Sequence, residues 1–156
     1  MLLQGEPLSG RTDHEAGRQL LARMYRELTG EELPEIRIAD RGKPYFANSP
    51  WHFSISHSKG HVFCALSRRR IGIDAEEQDR VINPALAEKI LSPAEQERYA
   101  RAEDKALALL RLWVLKEAAA KATGEGLRGY PNYTDFSPDD PRVLELHGCL
   151  VAVVEQ

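Results

Sequence analysis

The chain has 156 residues, 42% of them hydrophobic and 29% charged, with 21 Lys+Arg against 24 Asp+Glu and a formal charge of −3. That composition excludes a disordered chain, a collagen-like chain and a coiled-coil rod, and the length fits one domain with a core of its own. The small acidic surplus argues against a general nucleic-acid binder, which carries a basic excess, although local basic clusters remain free to grip a small phosphate ligand.

Thr12 to Leu28 reads as a helix, with Thr12 or Asp13 as cap, Glu15 near the start, and Ala16, Leu20, Met24 and Leu28 recurring at i+4. Gly30 ends it. Ile36 to Ala39 reads as a short strand, followed by a loop from Asp40 to Pro44. Trp51 to Ser56 alternates as a second strand, and His61 to Ser67 and Ile71 to Glu76 give two more. The basic Arg68-Arg69-Arg70 segment between those two suits a hairpin turn.

From Pro84 the pattern is helical: Ala85 to Leu91, then a helix opened by Ser92, Pro93 and Glu95, then a long one from Asp104 to Thr123, stopped by Gly124 and Gly126. Gly129 to Asp140 is turn-rich. Val143 to Leu146 and Cys149 to Val154 flank His147-Gly148 as a closing hairpin. The order predicts an α+β domain.

The apolar run from Cys149 to Val154 is the longest in the chain and falls far short of the roughly 20 residues a spanning helix needs. The opening MLLQGEPLSG lacks the basic-then-apolar pattern of an export signal, so no membrane contact is expected. Cys64 and Cys149 have apolar neighbours and no metal-ligand spacing, which reads as two buried thiols in a reducing cytoplasm.

In Ile71-Gly72-Ile73-Asp74-Ala75-Glu76, a strand's period of two puts Gly72, Asp74 and Glu76 on one face. Two carboxylates on one face repel unless a cation or donors lie between them, and Gly72 leaves room for a bulky ligand to approach the backbone; alternatively the acids decorate a solvated strand end. On the long helix, Trp113, Glu117 and Lys121 share one stripe, while Leu107, Leu110, Val114, Leu115, Ala118 and Ala122 make most of the circumference apolar. Glu117 and Lys121 are then either partly enclosed or a plain surface pair. A third carboxylate added to the strand pair suits an oxygen-only Mg²⁺ site, and Mg²⁺ with nearby cations suggests a pyrophosphate substrate. Arg41, Lys43, His57, Lys116 and Lys121 supply the cations; Arg41 and Lys43 could equally be loop charges, and His57 a satisfied strand-end histidine.

Four segments in this order, Arg41-Gly42-Lys43-Pro44, Phe53-Ser54-Ile55-Ser56-His57-Ser58, Ile71 to Glu76, and Trp113 to Lys121, resemble the 4′-phosphopantetheinyl transferase superfamily, in particular its Sfp-type branch, between about Ala16 and Leu127. The resemblance implies antiparallel sheets packed with a long central helix in a pseudo-two-lobed fold, with residues 1–156 a single domain, 1–70 a reduced N-terminal lobe lacking its opening strands, and 71–156 the C-terminal lobe. It implies Mg²⁺-dependent transfer of the phosphopantetheine arm of coenzyme A to a serine of an apo acyl or peptidyl carrier protein, by a monomer. Asp74, Glu76 and Glu117 match the metal ligands, and Glu117 and Lys121 the catalytic pair. Arg41, Lys43, Pro44, His57, Lys116, Lys121 and Arg18 fall in the coenzyme A-binding set, Glu95 matches an acid near the site, and Arg68 to Arg70 are candidates for meeting an acidic carrier. The competing expectations are a non-catalytic coenzyme A or carrier-protein binding module built on this fold, and an unrelated Mg²⁺-dependent phosphohydrolase.

Overall fold

The computed structural model describes residues 1–126 and 134–156; of the turn-rich stretch expected from Gly129 to Asp140, residues 129–133 lie outside the described residues. In chain order the elements are β1 (Leu2–Pro7), α1 (Asp13–Thr29), β2 (Ile36–Ile38), β3 (Pro44–Phe46), β4 (His52–Ser58), β5 (His61–Ser67), β6 (Ile71–Glu77), a 3-10 turn (Pro84–Leu86) running into α2 (Ala87–Ile90), α3 (Pro93–Arg101), α4 (Lys105–Thr123), β7 (Val143–Leu146) and β8 (Cys149–Glu155). All strand pairs are antiparallel, in the α+β arrangement expected. They form sheets ordered β1-β5-β4 and β6-β8-β7, with β2 and β3 as a separate hairpin.

The alternation within single strands explains the stacking. On β5, Val62, Cys64 and Leu66 pack with Ala16, Leu20, Leu21 and Met24 of α1, while Phe63 and Ala65 face the other way, onto Ile71, Ile73 and Ala75 of β6 and Cys149, Val151 and Val153 of β8. On β8, Leu150, Ala152 and Val154 turn to Leu112, Leu115 and Ala119 of α4. Side chains on opposite strand faces thus serve different layers, giving the succession α1, first sheet, second sheet, α4. The unbroken apolar run of β8 is the signature of a strand buried on both faces.

Helix boundaries follow the caps. Thr12 and Glu15 form a capping box on α1, Ser92 and Glu95 form another on α3, and Asp104 accepts from the Leu107 amide at the start of α4. Gly124, at φ 78°, closes α4 in the left-handed conformation that glycine adopts without penalty.

Four local expectations change. Residues 2–7, read as no element, form β1, paired with β5; Gly5 sits mid-strand because Phe63 covers it, and an added Cβ would stand 2.6 Å from that ring. Pro44 opens β3 opposite Ile38 rather than ending a loop, as a hairpin edge tolerates a residue with no N–H. Arg68 to Arg70 do not turn a hairpin: β5 is already flanked by β1 and β4, so the segment carries the chain into the other sheet. Gly72 does not open space for a ligand. A Cβ there would lie 1.9 Å from the Ala118 carbonyl oxygen and 2.4 Å from the Ala122 nitrogen, so the backbone of α4 itself fills that space.

Candidate active site

Because α4 rests on β6 at Gly72, the residues following Gly72 on the same strand face come up against the helix stripe of Glu117 and Lys121. Lys121 Nζ donates to Asp74 Oδ1 at 2.7 Å. Asp74 is buried, and its Oδ2 has no hydrogen-bond partner among the described residues. Burial raises the Asp74 carboxyl above the usual range, with Lys121 opposing. Burial likewise raises Glu117, and repulsion from Asp74 adds to it. Three carboxylates therefore share one field, and cations answer them: Lys121 at Asp74, and Arg80 in an ion pair with Glu76. As these side chains stand, no three His, Cys, Asp or Glu among the described residues are grouped as a metal-ligand cluster.

Beside this cluster opens a cavity of about 300 Å³. Its walls come from three places far apart in sequence: Arg41 to Pro44 of the β2–β3 turn, Phe53 to Ile55 of β4, and Glu117, Ala120, Lys121, Gly124 and Gly126 at the end of α4. A lining that mixes Arg41, Lys43, Glu117 and Lys121 with Pro44, Phe53, Ile55 and Ala120 suits a ligand with both phosphate and flat apolar parts.

The expected binding residues divide. Arg41, Lys43 and Pro44 line the cavity together with Glu117 and Lys121. Lys43, however, has its ammonium turned to three backbone carbonyls, those of Ile71 (3.2 Å), Ala122 (2.9 Å) and Lys121; it ties the β2–β3 turn to β6 and to the carbonyl end of α4, where a cation is favoured. Burial, with Arg70 adding, pulls its pKa down to about 8. His57 is exposed at the end of β4, outside the cavity lining, with Nδ1 3.1 Å from Asp13 Oδ2. Arg18 lies over the ring of Phe53, 5.9 Å from its centroid, and is not among the residues that line the cavity.

Lys116 is a correction. Its side chain is 2% exposed and its Nζ lies 2.5 Å from Oε1 of Glu95, itself 0% exposed, on the face of α4 turned to the core. A helix of 3.6 residues per turn sends neighbours about 100° apart, so Lys116 and Glu117 serve different surroundings, and Glu95 belongs with Lys116 rather than with the site.

A family model described as the 4′-phosphopantetheinyl transferase superfamily matches residues 70–148, from β6 through α4 to β7. The chain belongs to the 4′-phosphopantetheinyl transferase superfamily. It is 35% identical over 126 residues to the 4′-phosphopantetheinyl transferase HetI of Nostoc sp., covering 72% of this chain and 52% of that protein. It is 32% identical over 115 residues to the 4′-phosphopantetheinyl transferase Sfp of Bacillus subtilis, covering 70% and 49%. Over 96 residues it is 35% identical to the holo-[acyl-carrier-protein] synthase of Aliivibrio salmonicida, covering 55% of this chain and 76% of that protein. The chain thus spans about half the length of the Sfp-type relatives it matches.

Within this superfamily member, several positions carry work that the sequence did not announce. Ser54 and Ser56 of the SISHS segment accept hydrogen bonds from the Ile73 and Ala75 amides of β6, at 3.1 and 3.2 Å, joining the two sheets. Asp13 partners His57 from the first turn of α1. Arg80, beyond the end of β6, reaches back to Glu76; a basic residue at i+4 from an acid was the available signal. No helix among the described residues is long and apolar enough to cross a membrane.

Proposed function

We propose that the chain transfers the 4′-phosphopantetheine arm of coenzyme A to a serine of an apo acyl or peptidyl carrier protein, releasing 3′,5′-ADP. The observation that carries this reading is the meeting of Glu117 and Lys121 with the Arg41–Pro44 turn around one cavity, with Asp74 bonded to Lys121 at its edge. The Sfp-type relatives and the holo-[acyl-carrier-protein] synthase support the same substrate pair.

In this reading the carrier's serine oxygen attacks the phosphorus that bears pantetheine, and the bond from that phosphorus to the oxygen bridging the ADP side breaks. The serine proton passes to Glu117, the carboxylate that lines the cavity. Lys121 exchanges Asp74 for the pyrophosphate and stabilises charge on the departing oxygen. Arg41 and Pro44 hold the adenine end, while His57 on β4 and Arg18 on α1, outside the cavity lining, are assigned to the 3′-phosphate side and to a weaker basic contact. The nucleophile belongs to the partner protein, so positioning and charge neutralisation are what this chain must provide.

Asp74, Glu76 and Glu117 would hold Mg²⁺. The donors are all oxygen, as Mg²⁺ requires, and the buried unpartnered Asp74 Oδ2 together with the Asp74–Glu117 repulsion fits a cation there. When bound, the ion supplies charge neutralisation at the pyrophosphate. We read the chain as acting as a monomer, the Arg41–Pro44 turn, the Phe53–Ile55 strand and the end of α4 supplying the cavity lining together, and two buried free cysteines support a reducing cytoplasm.

Incubation with coenzyme A, Mg²⁺ and a panel of apo carriers, followed by mass spectrometry, should show phosphopantetheine added to a carrier, and Glu117→Ala should abolish it with circular dichroism unchanged. Coenzyme A binding without transfer to any carrier would instead identify a binding module. Inorganic phosphate released without carrier would identify a hydrolase.

A further inference from the structure

Arg80 has no part in the roles above, yet it sits at the carboxylate cluster. Its backbone N–H donates to the Glu77 carbonyl in the turn leaving β6, and the side chain doubles back so that Nη1 pairs with Glu76 Oε1. The guanidinium carbon stands 5.9 Å from the centroid of the Trp113 ring. Trp113 lies one turn before Glu117 and two before Lys121 on the same helix stripe. The indole therefore fixes the guanidinium from the α4 side by cation–π attraction, while Glu76 fixes it from the strand side. The Glu76 side chain is only 17% exposed, so solvent weakens this pair less than a fully exposed one. The fields of Asp74 and Glu117 also reach Arg80.

We propose that Arg80 is a built-in counter-ion of the carboxylate cluster, competing with a divalent cation for Glu76 and so setting how tightly that cation is held. This rests on the reading of Asp74, Glu76 and Glu117 as the cation-holding set. A carboxylate oxygen that accepts from a guanidinium is not free as a ligand, and the guanidinium's charge opposes a second cation nearby. Arginine stays protonated across the working pH range, so the competition does not switch off with pH; it ends only when the cation displaces the side chain. The role separates Arg80 from Lys121: Lys121 leaves Asp74 for the phosphate, whereas Arg80 has the indole face to remain on.

The test measures Mn²⁺ binding to the full chain, by electron paramagnetic resonance of free Mn²⁺, in the parent, Arg80→Gln, Arg80→Lys and Asp74→Asn proteins. Arg80→Gln is expected to bind Mn²⁺ about fivefold more tightly at low ionic strength, the factor that an ion pair of this kind is worth. The gap should narrow as salt is added, and Arg80→Lys should fall between the two. Binding that Asp74→Asn abolishes but Arg80→Gln leaves equal or weakens, with an unchanged circular dichroism spectrum, overturns the counter-ion role alone. A parent that binds no Mn²⁺, or binds it regardless of Asp74→Asn, overturns the cation-holding reading and the counter-ion role with it.

Discussion

Lys43 and Glu117 show how one cavity assigns different work to its charged residues. Lys43 has its ammonium on three carbonyls, and burial brings its pKa to about 8, against about 10.4 for a solvated lysine. Between those values the unfolded chain binds more protons at this position than the native one, so stability contributed here rises with pH across that window. The stability difference between the parent and Lys43→Met, from urea midpoints, should therefore grow from pH 8 to pH 10; a difference flat with pH would show that the ammonium is not shifted. Glu117 has a raised pKa and no comparable set of partners. Glu117→Gln should lower the transfer rate about 100-fold or more, the usual share of a general base, while thermal stability at pH 7 holds or increases because a half-buried charge is removed.

At the scale of elements, α4 is placed by two contacts that have nothing to do with ligand. One is Gly72, against which the helix backbone packs without an intervening side chain. Gly72→Ala should destabilise the protein by about 1–3 kcal/mol or more by overpacking and should reduce transfer more than the stability loss explains, since the Asp74–Lys121 pair shifts with it. The other is the Lys116–Glu95 pair, closed from water on the core side. Glu95 Oε1 also accepts from the Ser92 amide, and the Ser92 hydroxyl pairs with Asp135, so the pair holds α3 and the segment leading to β7 onto α4. Lys116→Met leaves a buried carboxylate without its cation and should cost about 3–5 kcal/mol. Transfer per folded molecule, measured under stabilising conditions, should stay near the parent's; a selective rise in KM for coenzyme A would return Lys116 to the binding set.

Across the whole molecule, the site exists only because two sheets meet. The first sheet contributes the Phe53–Ile55 wall and the second carries Asp74 and Glu76, and the two Ser hydroxyls on β4 satisfy amides of β6 that no strand pairs. Buried amides left unpaired cost about 1–3 kcal/mol each, so Ser54→Ala/Ser56→Ala should lower stability by that order and speed hydrogen exchange at the Ile73 and Ala75 amides. Exchange unchanged at those two positions would show that the sheets are held together by the Phe63, Ile73 and Val151 core alone.

Much of this organisation is legible along the chain. The caps at Thr12 and Ser92, the stop at Gly124, the two-faced strand from Cys149 and the carboxylate and helix motifs all depend on local chemistry, which sequence states directly. β1 escaped because Gly5 and Pro7 interrupt its pattern, and only Phe63, 58 positions later, explains the glycine. The acidic surplus of the composition likewise takes its meaning from position: Asp74 and Glu76 on β6 and Glu117 on α4 feel one another's charge beside a cavity lined by Arg41 and Lys121. Sequence by itself determined the family and the candidate residues, because residue type and motif spacing carry donor and charge together. Only the tertiary structure decided which of the cations face the cavity and which are spent holding α4 and β6 in place, because Lys43, Lys116 and Arg80 are sorted by the partners that long-range packing brings within reach.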